Sequence, residues 1–348
     1  MPLGFLRGTG VNDELDGSTS KSAVTFTVAN QDIPRGLVLS KDQLTELSQN
    51  TPYKMECEIV QSLAKWKRIM LDRLNVQVGE GIYCDSTSIR KGYKGDVTHS
   101  VVADQYDFEI KITDEMRNVE QLKQYVKIIY KIIVDCEEYI LKKYPHIIDE
   151  THQTSKDYRL PKDITFITSQ ELYDMYPTLD VHERETAAVN KYGSVFIIGM
   201  GWPMNDGSIA EEIRSPSYDD WTMNGDIIVK HPLTGYRHEL SSMGIRVNSE
   251  SLIKQLQHRN VYEKEVNLPY QQAIINNQLP LSYGGGLGIS RLLMLLLRTC
   301  HIGEVQCGLW HDEHYNQLHD IGGIDIIPDR IITYHDDSSS NNDTKLHP

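Results

Sequence analysis

With 348 residues, 39% of them hydrophobic, the chain can furnish a substantial buried core in one large domain or two ordinary ones. Its formal charge of −14 makes nucleic acid a poor partner, because phosphate backbones are gripped mainly by clustered cations. The longest strongly apolar run, Leu292 to Leu297, is far shorter than the roughly 20 residues of a membrane span, and the five scattered cysteines lack CxxC spacing. No membrane association, disulfide framework or zinc site is therefore expected. With no charged-then-apolar leader at the start, a reducing, cytoplasmic location is the expectation.

From the amino end, Val24 to Val28 and Lys54 to Val60 read as strands, and a helix is expected from about Ser62 to Leu74. Lys65, Lys67 and Arg68 fall on that helix and, by charge alone, read as a solvated face. Strands follow at Gly81 to Cys84 and Ser100 to Ile110, separated by Arg90 and the polar loop KGYKGDVTH. Between Asp114 and Tyr144, residues Val119, Leu122, Val126, Ile129, Ile133, Cys136 and Ile140 recur at spacings of three and four, which predicts a helix with one core-facing stripe. Further strands are expected at Asp163 to Ile167, Val195 to Gly199, Asp226 to Lys230 and Arg237 to Leu240. The link HPLTGYR between the last two is too short for a parallel crossover, so the sheet should be largely antiparallel. A helix from Ile289 to Arg298, apolar almost all round, should be buried. The run DDSSSNNDT marks a disordered tail from Asp336 to Pro348, which leaves residues 1–335 as a single mixed domain.

Three segments carry candidate chemistry. In NGDIIVKHPLTGYRHELSSMGIRV, a hairpin sets Asp226 and Glu239 on neighbouring strands. They are either surface acids or a magnesium pair, since Mg²⁺ is commonly held by one or two carboxylates together with substrate phosphates. Arg246, seven residues beyond Glu239, would then offer a forked donor to a phosphate oxygen. In LSYGGGLGISRLLMLLL, a glycine-rich turn opens into the apolar helix bearing Arg291, a charge that needs an anion or an aromatic plane such as adenine. In SVVADQYDFEI, period-two alternation puts Gln105, Asp107 and Glu109 on one face, which either meets solvent or lines a polar pocket.

In this order the three segments resemble the signature elements of class II aminoacyl-tRNA synthetases: an arginine before a strand-loop-strand, then ELxxMGIR, then GLGxxRL. A closer resemblance, over most of residues 2 to 310, is to ammonia-dependent asparagine synthetases. It rests on QSLAKWKR at 61 to 68, GEGIY at 79 to 83, ADQYDFE at 103 to 109, SQELYDMYP at 169 to 177, RSPSYDDW at 214 to 221, NGDI at 224 to 227, ELSSMGIRV at 239 to 247 and GGGLGISRL at 284 to 292. That family implies an α+β fold, a mostly antiparallel sheet flanked by helices, like the class II catalytic domain. It also implies a homodimer, the substrates L-aspartate, ammonia and ATP with Mg²⁺, and a β-aspartyl-adenylate that releases pyrophosphate and then AMP. By resemblance, Arg90, Ser100, Asp219, Asp226, Glu239, Leu240, Arg246 and Arg291 fall at ATP-handling positions, with Asp226 and Glu239 holding metal. Ser62, Lys67, Gln105, Asp107, Ser241 and Ser242 fall around the amino acid, where Lys67 becomes a partner for a substrate carboxylate. Arg90 and Gln105 fall among the reacting groups. Asp13, in RGTGVNDELDG, matches the family's RxGxGxxDxLxG segment and is the candidate to attract ammonium and accept its proton; apart from the resemblance it reads as an ordinary turn residue.

Two departures stand out. The chain opens at MPLGFLRG, where the family has a further helix and the beginning of a strand, and Glu14 and Asp16 stand where it usually has smaller or neutral polar residues. A truncated aspartyl- or asparaginyl-tRNA synthetase shares the class II elements but needs a nucleic-acid surface. A glutamine-dependent synthetase needs a nucleophilic cysteine at the mature N-terminus, where Pro2 stands. An inactive paralogue that binds aspartate or AMP is the non-enzyme alternative.

Overall fold

Antiparallel pairing dominates both sheets, and in the hairpin closed by HPLTGYR it follows from a short link between two β-prone runs. In the computed structural model, β1 (Gly4–Leu6), β2 (Thr25–Ala29) and β3 (Lys54–Ile59) form a small antiparallel sheet with β3 at its centre. The structure describes residues 4–12, 23–29, 54–91, 95–150, 158–210, 214–311, 314–318, 324 and 326–327. Asp13 and the expected tail from Asp336 lie outside them.

Helix α1 (Ala64–Arg73) leads into β4 (Gly81–Ile89) and β5 (Val102–Lys111), which pair antiparallel and carry the first part of the main sheet. Helix α2 (Val119–Lys143) starts where the Asn118 side chain accepts a hydrogen bond from the Gln121 amide, a cap that satisfies an otherwise orphaned donor. After the short α3 (His146–Glu150) come β6 (Thr165–Thr168), α4 (Ser169–Met175), α5 (Val181–Tyr192) and β7 (Ser194–Ile198). Both α4 and α5 open with a capping box, Thr168 with Glu171 and Asp180 with Glu183. The helices allow β6 and β7 to run parallel, the one parallel pair among the strands of the main sheet. Next, β8 (Asp219–Lys230) and β9 (Arg237–Arg246) form the hairpin, followed by α6 (Ser249–His258), α7 (Tyr262–Glu265), α8 (Pro269–Ile275), β10 (Ser282–Gly288) and α9 (Ile289–Leu297).

The main sheet has seven strands in the order β4-β5-β10-β9-β8-β7-β6. The structure differs from the sequence expectation at its centre, where the glycine run read as a turn is strand β10, hydrogen-bonded to β5 and β9 on either side. Close packing explains the glycines. A Cβ on Gly284 would collide with Glu109 and Arg246, and one on Gly285 would come within 2.5 Å of Met243 Cβ. Strands β8 and β9 are also longer than expected, because β8 begins at Asp219 and β9 continues through Arg246.

One face of the sheet is closed by α2 and α9. Leu122, Val126 and Ile133 from the predicted stripe, joined by Tyr130, pack with Ile227, Val229, Met243, Ile245, Tyr283 and Leu295. Each such buried side chain contributes about 1.5–3 kcal/mol relative to exposure. On the same side, His238 Nε2 donates 2.7 Å to the Arg291 carbonyl. Burial pushes the His238 imidazole down to about 3 and that of its neighbour His231 to about 4, so both stay neutral, and His238 anchors the start of α9. The opposite face presents Gln105, Asp107, Glu109, Asp226, Ser242 and Arg246, the side chains that the alternation of β5 and the hairpin had grouped.

Candidate active site

That second face bears a cleft of about 580 Å³. Of the residues singled out in the sequence, Arg90, Ser100, Gln105, Asp226, Glu239, Leu240, Ser241, Ser242 and Arg291 line it. Lys67 and Asp107 are not among the lining residues and lie just behind them, for a Cβ on the cleft-lining Gly286 would approach both Gln105 and Asp107 within 3.3 Å. Ser62 lies at the start of α1, its hydroxyl accepting from the Ala64 amide at 3.2 Å.

Lys67 is not the solvated charge that composition suggested; it is fully buried. Its ammonium donates to Asp107 Oδ1 at 2.6 Å and to the Gly285 carbonyl at 2.9 Å, while the Ser86 hydroxyl donates to Asp107 Oδ2. An ammonium removed from water needs such partners, because desolvation otherwise outweighs any local attraction. The cluster fixes a cation and a carboxylate just behind the cleft, next to Gln105. Ser241 donates to the Gly286 carbonyl at 2.9 Å, fastening β9 to β10 at the same level.

Asp226 and Glu239 lie on adjacent strands, as the hairpin predicts, but the irregular register sets Asp226 against Ser242 and Glu239 against Ile228. Each is held by arginine. Arg214 Nη2 reaches both oxygens of Asp226 at 2.5 Å, and its Nη1 donates to Ser242. Glu239 Oε1 lies 3.1 Å from Arg291, and its Oε2 lies 3.4 Å from Arg237. Burial would raise the Glu239 carboxyl, yet Arg291 and Arg237 hold it at about 2.

The charges of this wall alternate. Glu185 on α5 pairs with Arg237, Arg237 with Glu239, and Glu239 with Arg291. Arg291 then donates 2.9 Å to His99 Nε2, and His99 Nδ1 lies 2.9 Å from Asp96. Since His99 Nε2 accepts from Arg291, its proton sits on Nδ1 and is donated to Asp96, which fixes the tautomer.

Arg246 differs from the sequence expectation of a phosphate contact, and Asp219 from the expectation, by resemblance, of an ATP-handling position. Neither lines the cleft; Arg246 lies behind it, 5.8 Å from the ring of the cleft-lining Tyr218. Both edges of its guanidinium are engaged, Nε and Nη2 with Glu109 at 2.9 and 2.7 Å and Nη1 with Asp219. Burial alone would lower the Arg246 pKa, but the two carboxylates raise it well above its usual value. Burial raises the Asp219 carboxyl, whereas Glu109 is held below its usual value by Arg246 against the pull of burial. This triad fastens β5, β8 and β9 together.

Sequence reasoning passed over Arg214, Arg237, Glu185, His99 and Ser86. Arg214 opens the motif RSPSYDDW, Arg237 ends the link HPLTGYR and His99 closes the loop after Arg90, so all three stand inside quoted segments. Glu185 and Ser86 carried no signal, for each acts through a partner distant in the chain.

For the metal, no group of three or more His, Cys, Asp or Glu side chains able to hold an ion occurs among the described residues. Magnesium bound with phosphates needs fewer protein donors, and two carboxylates lining one cleft are such a set. Asp226 and Glu239 fit on that ground.

The family profile described as aspartate-ammonia ligase matches residues 1–322. An aspartate-ammonia ligase of Clostridium perfringens strain 13 is 43% identical over 312 residues, covering 90% of this chain and 83% of the relative. One of Fusobacterium nucleatum is 45% identical over 256 residues, covering 74% and 75%. Among solved structures, the asparaginyl-tRNA synthetase of Pyrococcus horikoshii complexed with asparaginyl-adenylate superposes with a TM-score of 0.54 at 13% identity, over 87% of this chain and 60% of that one. The aspartyl-tRNA synthetase of Entamoeba histolytica gives 0.52 at 17% identity, over 72% of this chain and 50% of that one. This chain thus spans only half to three fifths of those synthetases, and the likeness is one of fold. The long match to the ligases identifies more: the chain belongs to the aspartate-ammonia ligase family and is an enzyme of that class built on a class II synthetase fold.

Proposed function

We propose that the chain makes L-asparagine from L-aspartate, ammonia and ATP in two steps. An oxygen of the aspartate side-chain carboxylate attacks the α-phosphorus, the bond from phosphorus to the bridging oxygen breaks, and pyrophosphate leaves. The lone pair of ammonia then attacks the activated carbonyl carbon, the C–O bond to the phosphate breaks, and AMP leaves with the surplus proton passing to a base. We assign that base to Asp13, which lies outside the described residues. The reaction is placed in a cytoplasmic homodimer without a nucleic-acid partner, in keeping with the charge of −14.

The observation that carries this reading is the buried Lys67–Asp107 pair set beside a cleft lined by Arg90, Arg214, Arg237 and Arg291. Carboxylate and polyphosphate repel each other, so bringing them together requires fixed cations and exclusion of water, which is where enzymes gain most. Lys67 with Asp107 suits the zwitterionic end of aspartate, and to the cleft-lining Arg90 we assign the charge that develops at the α-phosphate. Gln105, between them, can orient the attacking oxygen. Magnesium, held by Asp226 and Glu239, would neutralise phosphate charge when bound. The asparaginyl-adenylate in the Pyrococcus relative supports an acyl-adenylate here, given the shared fold.

The test follows products with ATP, Mg²⁺ and aspartate, with and without ammonium. Asparagine formed only with ammonium, matched by equal AMP and pyrophosphate, is expected. Asp13→Asn should lower the rate about 10²-fold near neutral pH, with the deficit shrinking as pH rises and free NH₃ accumulates. Release of AMP only when tRNA is added would point to a synthetase, and folded protein that binds AMP but makes no product would point to an inactive paralogue.

A further inference from the structure

The loop that presents His99 to Arg291 is fastened from outside the cleft. Within it, Asp96 Oδ1 accepts from the Thr98 and His99 amides at 2.7 and 2.8 Å, so the turn itself aims His99. A turn of this size is not stable alone, and its support comes from the segment after α9. The Ile302 amide donates 2.8 Å to the Val97 carbonyl. The six-membered ring of the Trp310 indole, 7% exposed, packs against Gly95, where an added Cβ would sit 2.5 Å from the ring. Beside it, a Cβ on Gly308 would meet the Ser100 hydroxyl at 3.0 Å.

The indole is itself wedged between two histidines. It stacks on His314 at 4.9 Å and 11° and lies 5.1 Å from His301. His301 Nδ1 accepts from the Gly303 amide, so its Nε2 carries the proton and donates 3.1 Å to His314. The Trp310 N–H finds no hydrogen-bond acceptor among the described residues, so stacking and apolar contact hold the ring.

We propose that Trp310 is a positioning residue for the nucleotide: it clasps the loop at Gly95 and so keeps the Asp96–His99–Arg291 chain aligned in the cleft. The inference rests on the reading above that Arg291 and its wall receive ATP. Trp310 touches no ligand on this account; it acts through the loop. The aspartate end of the site, built on α1, β4 and β5, does not depend on it.

Gly95 gives the sharpest test because it is exposed and its conformation suits any residue, so a methyl group there meets only the indole. Gly95→Ala is expected to raise KM for ATP about tenfold or more, since small displacements of positioning groups are costly, while KM for aspartate stays within about twofold. Trp310→Ala should do the same, and Trp310→Phe should retain most of the wild-type value. In the Trp310→Ala background, Gly95→Ala should add nothing, a non-additivity expected only of groups in contact. An unchanged KM for ATP in Gly95→Ala, equal rises in both KM values, or additive effects would overturn the clasp. If Trp310→Ala fails to fold, Gly95→Ala alone decides. A wild-type enzyme that makes asparagine without consuming ATP would sink the underlying reading and the clasp with it, whereas an ATP-dependent enzyme indifferent to Gly95→Ala would sink the clasp alone.

Discussion

Lys67→Met should abolish asparagine synthesis, with kcat/KM falling about 10³-fold or more, equivalent to about 4 kcal/mol of lost transition-state stabilisation. The ammonium is buried and pairs at 2.6 Å with Asp107, and nothing else described near that carboxylate carries a positive charge in hydrogen-bond contact with it. The same substitution leaves Asp107 as a buried carboxylate served only by the Ser86 hydroxyl, which should cost about 3–5 kcal/mol of stability. Two effects are therefore mixed in one variant, and a second variant separates them. Lys67→Met combined with Asp107→Leu removes the stranded charge and should recover most of the stability without recovering activity. Thermal unfolding read beside product formation checks both. A double variant that regains activity would refute the role given to this pair.

The second large effect concerns Arg246, which bridges Glu109 and Asp219 at 2% exposure. Arg246→Leu strands two carboxylates at once and should destabilise the fold by about 5 kcal/mol, lowering Tm by about 10 °C. Its pH dependence has a definite sign. In the wild type, Arg246 holds the Glu109 carboxyl below its usual value, so that group's contribution is present above about pH 4.5 and fades as pH falls through and below it. Asp219 already shows the opposite shift, raised by burial even with Arg246 in place. Without the guanidinium both carboxyls are raised, each costs stability wherever it must ionise, and protonation relieves that cost. The deficit of the variant should therefore be largest at neutral pH and shrink towards about pH 5. Glu109→Gln with Asp219→Asn in the same chain should restore part of the stability at neutral pH. Denaturant unfolding at several pH values reads all three, and a deficit independent of pH would contradict the assignment of charge.

How far the sequence discloses this molecule depends on what each element shows to a periodic pattern. Helix α2 was legible because Leu122, Val126 and Ile133 meet one core and its outer face meets water. The hairpin was legible from its short link, and with it the neighbouring placement of Asp226 and Glu239. The start of β8 was hidden because Asp219, Asp220, Asn224 and Asp226 are all buried there, and their compensating arginines come from elsewhere in the chain. Strand β10 was hidden because glycine has no side chain to alternate; its reason for being a strand lies in Glu109, Arg246 and Met243 on its neighbours. Lys67 shows the same limit, since three charges on one helix look solvated until Asp107 closes over one of them and the Pro280 and Val247 carbonyls over Arg68. The contact of Trp310 with Gly95 leaves no local signal at all.

In the proposed reaction the aspartate side chain is activated by direct attack on the α-phosphorus of ATP. The measurement that tests it most directly uses aspartate labelled with ¹⁸O in both side-chain carboxylate oxygens, with mass analysis of the phosphate products after ammonium-dependent turnover. An acyl-adenylate requires one labelled oxygen to appear in AMP, with pyrophosphate unlabelled. Label in inorganic phosphate together with ADP, or no transfer of label to any phosphate while asparagine forms, would contradict the account.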